Sequence, residues 1–190
     1  MSGEYPDRRG ERPGGDTDPS GNGPVVYGLD IVTTSPEATF RVGKALGRHA
    51  NQGTVLALWG EMGAGKTCLV QGIARGLGVA EDTAVTSPTF TLINEYPGSR
   101  GIMLSHFDLY RLGDMEELVD LGYDEYWYGE GISAVEWPDI AETLLPENRI
   151  DIYLSIEDES TRSIRIELRG EDHCGLLRRL SENLHIKEGS

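Results

Sequence analysis

One short stretch of the sequence combines the residue types that bind phosphate. Residues 60–67 read Gly-Glu-Met-Gly-Ala-Gly-Lys-Thr, which matches the pattern G-x-x-x-x-G-K-[ST] in full. In this pattern the glycines let backbone N–H groups converge on phosphate oxygens. Lys66 supplies positive charge for the β- and γ-phosphates, and Thr67 offers its hydroxyl to Mg²⁺. The motif therefore predicts a nucleotide-binding P-loop, with ATP and Mg²⁺ as cofactors.

Two segments after this loop have the pattern of a strand that ends in a carboxylate. The first, Ile132–Glu136, is an apolar run ending in an acid, so Glu136 is expected to reach the metal. The second ends at Asp108, which is expected to orient the attacking water or to act as a general base. Each acid could instead be a plain strand-end residue. His106 is expected to pack or cap and is left out of the catalytic set.

Other residues near these motifs keep more than one interpretation. The hydroxyl-rich stretch 86–91 is either a loop that senses the γ-phosphate or an ordinary turn. The Trp137 indole walls the nucleotide site, docks a partner or packs in the core. Cys68 is expected to be a small buried filler rather than a reactive thiol. The expected catalytic residues are Lys66, Asp108 and Glu136, the metal ligands Thr67 and Glu136, and the nucleotide contacts Glu61, Met62, Gly63, Ala64, Gly65, Lys66, Thr67, Cys68 and Trp137.

The elements that position these residues alternate between strand and helix. A strand is predicted at 54–59, buried on both faces, and a helix at 66–77. A preceding helix begins at Pro36, capped by Thr34 or Ser35. A short apolar segment lies around 25–32. Further strands are predicted at 89–95, 102–109 and 132–137, a short helix at 115–121, a hairpin at 150–156 and 163–168, and a closing helix at 174–184.

This order predicts an α/β fold. We expect a P-loop NTPase three-layer sandwich, with a mostly parallel sheet, helices on both faces and a C-terminal antiparallel hairpin at the sheet edge. We divide the chain into a disordered tail at 1–24, a P-loop ATPase domain at 25–170 and a C-terminal helix and tail at 171–190.

The composition limits the possible partners and location. A formal charge of −15 disfavours a broad nucleic-acid-binding face, so any RNA is expected to be held by a partner protein. No apolar stretch approaches the roughly 20 residues that a membrane-spanning helix needs, and the first 24 residues lack the apolar core of a secretory signal. We therefore expect a cytoplasmic protein that does not bind membranes.

Four short motifs follow one another along the chain: GEMGAGKT at 60–67, VTSPTFTLINEY at 85–96, HFDLYRL at 106–112 and VEWP at 135–138. Their order and spacing resemble the TsaE family, formerly called YjeE, over about Thr33–Leu168. The family comprises bacterial ATPases of tRNA threonylcarbamoyladenosine synthesis. The resemblance implies slow ATP hydrolysis by the chain alone and action with the TsaB and TsaD proteins, which modify adenosine 37 of tRNAs that read ANN codons.

The resemblance also implies roles for individual residues. Thr67 and Glu136 look like the magnesium pair, Asp108 like a residue needed for hydrolysis, and Trp137 like a neighbour of the nucleotide. Gly63–Lys66 would hold the phosphates, and Thr34–Glu37 would approach the base.

Two other functions fit the same loop. A small-molecule kinase would pass the γ-phosphoryl group to a hydroxyl, but such kinases usually carry an arginine-bearing lid, and no arginine-rich segment stands out between the P-loop and Glu136. A nucleotide-gated binding module would dock on a partner with negligible turnover. Guanine specificity through an N-K-x-D motif is excluded, because no lysine occurs between Lys66 and Lys187.

Overall fold

The computed structural model describes residues 27–170, 173 and 175–184. The predicted tail at 1–24 lies outside these residues. Within 171–190, the structure describes residue 173 and the segment 175–184, which contains the closing helix. The strands are β1 (Tyr27–Thr33), β2 (Val55–Trp59), β3 (Ile93–Pro97), β4 (Met103–Asp108), β5 (Ile132–Glu136), β6 (Arg149–Ile156) and β7 (Arg162–Arg169). The α-helices are α1 (Pro36–His49), α2 (Lys66–Gly76), α3 (Met115–Asp120), α4 (Tyr123–Trp127) and α5 (Leu176–Leu184), with 3-10 turns at Ser99–Gly101 and Pro138–Leu144.

The strands form one mixed sheet in the order β1-β7-β6-β2-β5-β4-β3. Its centre is parallel, since β2 pairs in parallel with β5 and β6, and β5 with β4. Both margins are antiparallel, because β3 pairs with β4 and β7 lies between β6 and β1. The expectation of a mostly parallel sheet is therefore wrong outside the centre.

The hairpin of β6 and β7 is confirmed, but its predicted place at the sheet edge is wrong. β1 pairs along the whole of β7, from Tyr27 opposite Leu168 to Thr33 opposite Arg162. The N-terminal strand thus covers the hydrogen-bonding groups that β7 would otherwise expose. Such a pairing joins segments that lie far apart in the sequence, and local sequence patterns carry no signal for it.

Alternation along the strands produces an apolar core on each face of the sheet. Leu56 and Leu58 of β2 belong to one cluster, together with buried residues of α1, α2 and α5. Val55 and Ala57 belong to the other, with residues of α3, α4 and the turn at 138–144. β2 is thus buried on both faces, as its continuous apolar run predicts.

Helix α1 begins as predicted. The Ser35 side chain caps it by accepting a hydrogen bond from the Ala38 backbone N–H at 3.2 Å, and Pro36 occupies its first turn. Helix α1 packs along α2, and α5 packs against α1. Helix α2 begins with Lys66 of the predicted phosphate site. The packing of α1 along α2 therefore helps to fix the position of this residue.

A buried carboxylate anchors the strand that leads into the phosphate loop. Asp151 of β6 has no solvent exposure and accepts hydrogen bonds from Trp59 Nε1 at 3.1 Å and Arg149 Nε at 2.8 Å. Arg169 of β7 donates a further bond to it. These charged partners stabilise an ion that burial alone would strongly disfavour, and they fix Trp59 immediately before Gly60.

Candidate active site

The loop at 60–65 joins the C-terminal end of β2 to the first residue of α2. Its backbone requires glycine at both ends. Gly60 has a φ of +144°, and a Cβ there would lie 2.4 Å from the Leu154 carbonyl oxygen. Gly65 caps α2 with a φ of +102°, a conformation that side chains with a Cβ rarely adopt. The glycines therefore set the loop's shape, with the N-terminus of α2 beneath it.

Lys66 lies buried under this loop, with 5% of its surface exposed. Its ammonium donates to the carbonyls of Gly60 at 2.7 Å and Glu61 at 2.9 Å. It also lies 3.8 Å from the centroid of a Trp137 ring. Burial lowers the pKa of Lys66, while the carboxylates of Glu136 and Asp108 oppose that shift. The charge is thus held at the loop in an environment depleted of water.

Thr67 and Glu136 meet directly, although they are far apart in the sequence. The Thr67 hydroxyl donates to Glu136 Oε1 at 2.9 Å and lies 3.3 Å from Oε2. Glu136 ends β5, which is hydrogen-bonded to β2, so the parallel pairing brings its carboxylate below the loop. A hydroxyl and a carboxylate at this spacing are oxygen donors of the kind that Mg²⁺ binds. The two predicted metal ligands therefore lie together.

Asp108 lies opposite Glu136 in the β4–β5 register, so the two acids reach the same edge of the sheet. Its Oδ2 accepts hydrogen bonds from the hydroxyls of Ser87 and, at 2.8 Å, Thr89. Its Oδ1 accepts from the Tyr110 backbone N–H at 3.1 Å. Only 3% of Asp108 is exposed, and these donors stabilise and orient its charge. The hydroxyl-rich loop thus closes onto the site.

We expect the Thr89→Val variant to lose about 2 kcal/mol of unfolding free energy, because a buried carboxylate loses a charge-assisted hydrogen bond. Valine keeps the shape of threonine but cannot donate. Urea denaturation measures the change. The matched control is Thr91→Val in the same loop, whose exposed hydroxyl bonds Asn94 at 3.3 Å and whose loss should change stability by less than about 0.5 kcal/mol.

Repeating the Thr89→Val substitution in an Asp108→Asn protein separates the loss of the Thr89–Asp108 hydrogen bond from a loss of packing. In an Asp108→Asn protein the acceptor is neutral, so Thr89→Val should cost less there than in wild type. Equal costs in the two backgrounds would mean that the Thr89 hydroxyl does not act through the Asp108 charge.

Trp137 occupies an unusual backbone position beside Glu136. Its φ of +60° lies in the left-handed region, which a bulky residue adopts only when its surroundings impose it. This conformation turns the indole toward Lys66 and against the Tyr110 ring, whose centroid lies 4.9 Å away. Trp137 therefore lies at the wall of the cleft, and its side chain also packs against the second core cluster.

These residues line a cleft of about 410 Å³. Both acids, Asp108 and Glu136, line it. The predicted nucleotide contacts that also line it are Met62, Gly63, Gly65, Lys66, Thr67, Cys68 and Trp137. Glu61 and Ala64 are not among the lining residues: Ala64 is fully buried in the first core cluster, and Glu61 contributes its carbonyl to Lys66. A volume of this size lies within the range of small-molecule sites, about 300–1,000 Å³.

Cys68 is half-buried rather than fully buried, and its thiol donates to the Pro36 carbonyl at 3.3 Å. Burial raises the pKa of this thiol, which agrees with an unreactive residue. The same contact places the segment Thr34–Glu37 beside the start of α2. The approach of this segment to a base stays a prediction.

Several residues outside the predicted set of site residues also contact the site. Ser87, Tyr110 and Arg111 also line the cleft. Arg162 of β7 donates to the Gly63 carbonyl at 3.3 Å, across 99 positions of sequence. His106 contacts Glu136 through Nε2 at 2.9 Å. The signal for His106 was available, because residues 106 and 108 of one strand share a face.

The comparisons with known proteins agree with the motif order. A sequence model described as "Threonylcarbamoyl adenosine biosynthesis protein TsaE" matches residues 33–164. The chain belongs to the TsaE family. The TsaE protein of Treponema pallidum is 40% identical over 73% of this chain and 99% of its own length. That of Bacillus subtilis is 39% identical over 81% of this chain and 94% of its own length.

A solved structure shows the same architecture. The crystal structure of Bacillus subtilis YdiB superimposes with a TM-score of 0.69 at 34% identity, covering 83% of this chain and 96% of that one. The start of the family match at residue 33 agrees with the predicted extent of the resemblance. In this TsaE chain, none of the helices among the described residues combines the length and apolar character that crossing a bilayer requires.

Proposed function

We propose that this TsaE chain is a cytoplasmic ATPase that assists tRNA N6-threonylcarbamoyladenosine synthesis, with ATP and Mg²⁺ as cofactors. The supporting observation is the direct bond between the Thr67 hydroxyl and the Glu136 carboxylate beneath the phosphate loop. It joins the helix after the loop to the strand beside β2, an arrangement that suits a P-loop NTPase sandwich. A loop without an acidic partner would support nucleotide binding alone.

The donor set fits magnesium bound together with a nucleotide. Among the described residues no group of three or more His, Cys, Asp or Glu side chains forms a cage for a metal ion. Magnesium usually takes one or two carboxylates and completes its shell with phosphate oxygens and water. Thr67 and Glu136 would hold it, and it would neutralise charge developing on the phosphate oxygens.

The remaining residues divide the work of hydrolysis. The loop's N–H groups and Lys66 would bind the β- and γ-phosphates, and Lys66 would stabilise charge in a site screened from water by Trp137. Asp108, oriented by three donors, would position the attacking water or accept its proton. Catalysis in this proposal consists of positioning and charge stabilisation.

We propose TsaB and TsaD as partners, with tRNA reached only through them. The family assignment supports this, and the formal charge of −15 disfavours direct contact with a phosphate backbone. The test is ATP turnover by the purified chain, alone and with the TsaB and TsaD proteins of the same organism. We expect Mg²⁺-dependent release of ADP and phosphate in equal amounts, raised by the partners.

Two outcomes of this assay would contradict the proposal. Phosphate appearing on a small hydroxylated acceptor instead of in solution would indicate a kinase. Tight nucleotide binding without turnover, even with both partners and tRNA present, would indicate a nucleotide-gated binding module.

A further inference from the structure

A histidine outside the expected catalytic set contacts the proposed metal ligand. His106 of β4 has no solvent exposure, and its Nε2 lies 2.9 Å from Glu136 Oε1. Strands β4 and β5 are paired in parallel with His106 beside Ala134, so the imidazole reaches diagonally to the acid two residues further along. The contact therefore follows from the sheet register.

The position of the imidazole proton follows from its surroundings. Nδ1 of His106 is buried, and none of the residues that the structure describes gives it a hydrogen-bond partner. A proton on Nδ1 would leave a buried donor unsatisfied, at a cost of about 1–3 kcal/mol. It would also turn the bare Nε2 lone pair toward a carboxylate oxygen. A hydrogen on Nε2 instead satisfies the contact with the carboxylate and leaves only a bare Nδ1 acceptor without a partner, so His106 donates to Glu136.

Glu136 Oε1 thus receives two donors. The Thr67 hydroxyl lies 2.9 Å from it on one side, and His106 Nε2 lies 2.9 Å from it on the other. Glu136 is itself only 3% exposed, so little water is available to replace either donor. Of these two donors, only Thr67 is expected to bind the metal. Metal binding would turn the Thr67 hydroxyl away from Glu136. The His106 bond then holds the carboxylate in place.

We propose that His106 is a positioning residue, which donates from Nε2 to Glu136 and so fixes the rotamer of the carboxylate that binds Mg²⁺. This inference rests on the proposed function. Outer hydrogen-bond partners of this kind orient metal ligands, and their removal typically weakens metal binding about 10- to 100-fold. A histidine that merely fills space would have no such effect.

Two amide variants separate these roles. In His106→Gln the side-chain nitrogen is as many bonds from the backbone as Nε2, whereas in His106→Asn it is as many bonds away as Nδ1. Both variants bury an amide in place of the imidazole, so the comparison isolates the donor's position. The Mg²⁺ concentration that half-maximally promotes binding of a fluorescent ATP analogue should rise about 10-fold or more in His106→Asn. His106→Gln should stay closer to wild type than His106→Asn does.

A third variant controls for lost stability on the same strand. Phe107 is fully buried but belongs to the cluster on the opposite face of the sheet. Phe107→Leu should lower the unfolding free energy, measured in urea, without changing the Mg²⁺ requirement. Nitrogen-15 NMR of the wild-type imidazole, without nucleotide, should show a protonated Nε2 and a bare Nδ1.

The outcomes are distinct. Equal Mg²⁺ requirements in His106→Asn and wild type, or a ring that carries its only proton on Nδ1, would overturn the positioning role while leaving the ATPase proposal intact. Equal shifts in His106→Asn and His106→Gln would also overturn it, because the position of the donor would then not matter. ATP turnover by wild type that is independent of Mg²⁺ would overturn the proposed function itself.

Discussion

The Lys66→Ala variant is expected to lose ATP turnover by about 100-fold or more, because removing one preorganised charge from a water-poor site typically has an effect of this size. Lys66 is 5% exposed and lies between the loop carbonyls and the Trp137 ring, so no solvent cation can take its exact geometry. Phosphate release under saturating Mg²⁺, with and without the partner proteins, measures the loss.

The matched control for this variant is Lys44→Ala. Lys44 lies on α1 and lines a groove between α1 and α5, away from the phosphate loop. The substitution removes the same charge from the same protein, so an effect of net charge would appear in both variants. Turnover in Lys44→Ala should stay at the wild-type level. If Lys66→Ala also retained it, the loop would not be the site of hydrolysis.

The sequence predicts the position of this site because the residues that indicate it are close together in the chain. The apolar run that forms β2, the glycines that follow it and the first residues of α2 lie within one continuous stretch. Glu136 was found for a similar reason, since a buried strand that ends in an acid is visible without knowing its neighbours. The meeting of Thr67 with Glu136 then follows from parallel pairing of β2 and β5.

The loop before β3 differs from the prediction. The sequence predicts a strand from residue 89, but β3 begins at Ile93. Leu92 has a φ of +62°, and its N–H bonds the Pro88 carbonyl at 2.8 Å, so the chain turns there. The hydroxyl of Thr89 is bonded to Asp108. A tertiary contact with a distant acid thus overrides the strand preference of this segment, and a local pattern cannot show it.

A second feature without a recognised local signal is the contact between α1 and α2. Each helix carries two glycines four positions apart, at 43 and 47 in α1 and at 72 and 76 in α2. A Cβ at Gly43 would lie 2.1 Å from the Leu69 carbonyl oxygen, and one at Gly72 would lie 2.2 Å from the Phe40 carbonyl oxygen. The two backbones are therefore in direct contact, with no room for side chains between them.

Gly47→Ala should lower the unfolding free energy by about 3 kcal/mol or more, as expected for severe overpacking. A Cβ at this position would lie 2.1 Å from the Ile73 carbonyl oxygen, which belongs to a helix backbone and cannot rotate away. The helices would have to separate, and α2 carries Lys66 and Thr67 at its start. Urea denaturation measures the stability, and nucleotide affinity reports any displacement of the loop.

The direction of the change in unfolding free energy shows whether α1 and α2 are in contact at Gly47. In a helix without a close neighbour, replacing glycine by alanine stabilises by about 1 kcal/mol, so the clash must exceed that gain before any loss is seen. Gly113→Ala is the control, since the nearest atom to its Cβ would be the flexible end of the Glu117 side chain, at 3.1 Å. A Gly47→Ala protein at least as stable as wild type would show that α1 and α2 do not touch. Destabilisation confined to Gly47→Ala would establish that this glycine contact holds α1 against the phosphate-binding helix α2.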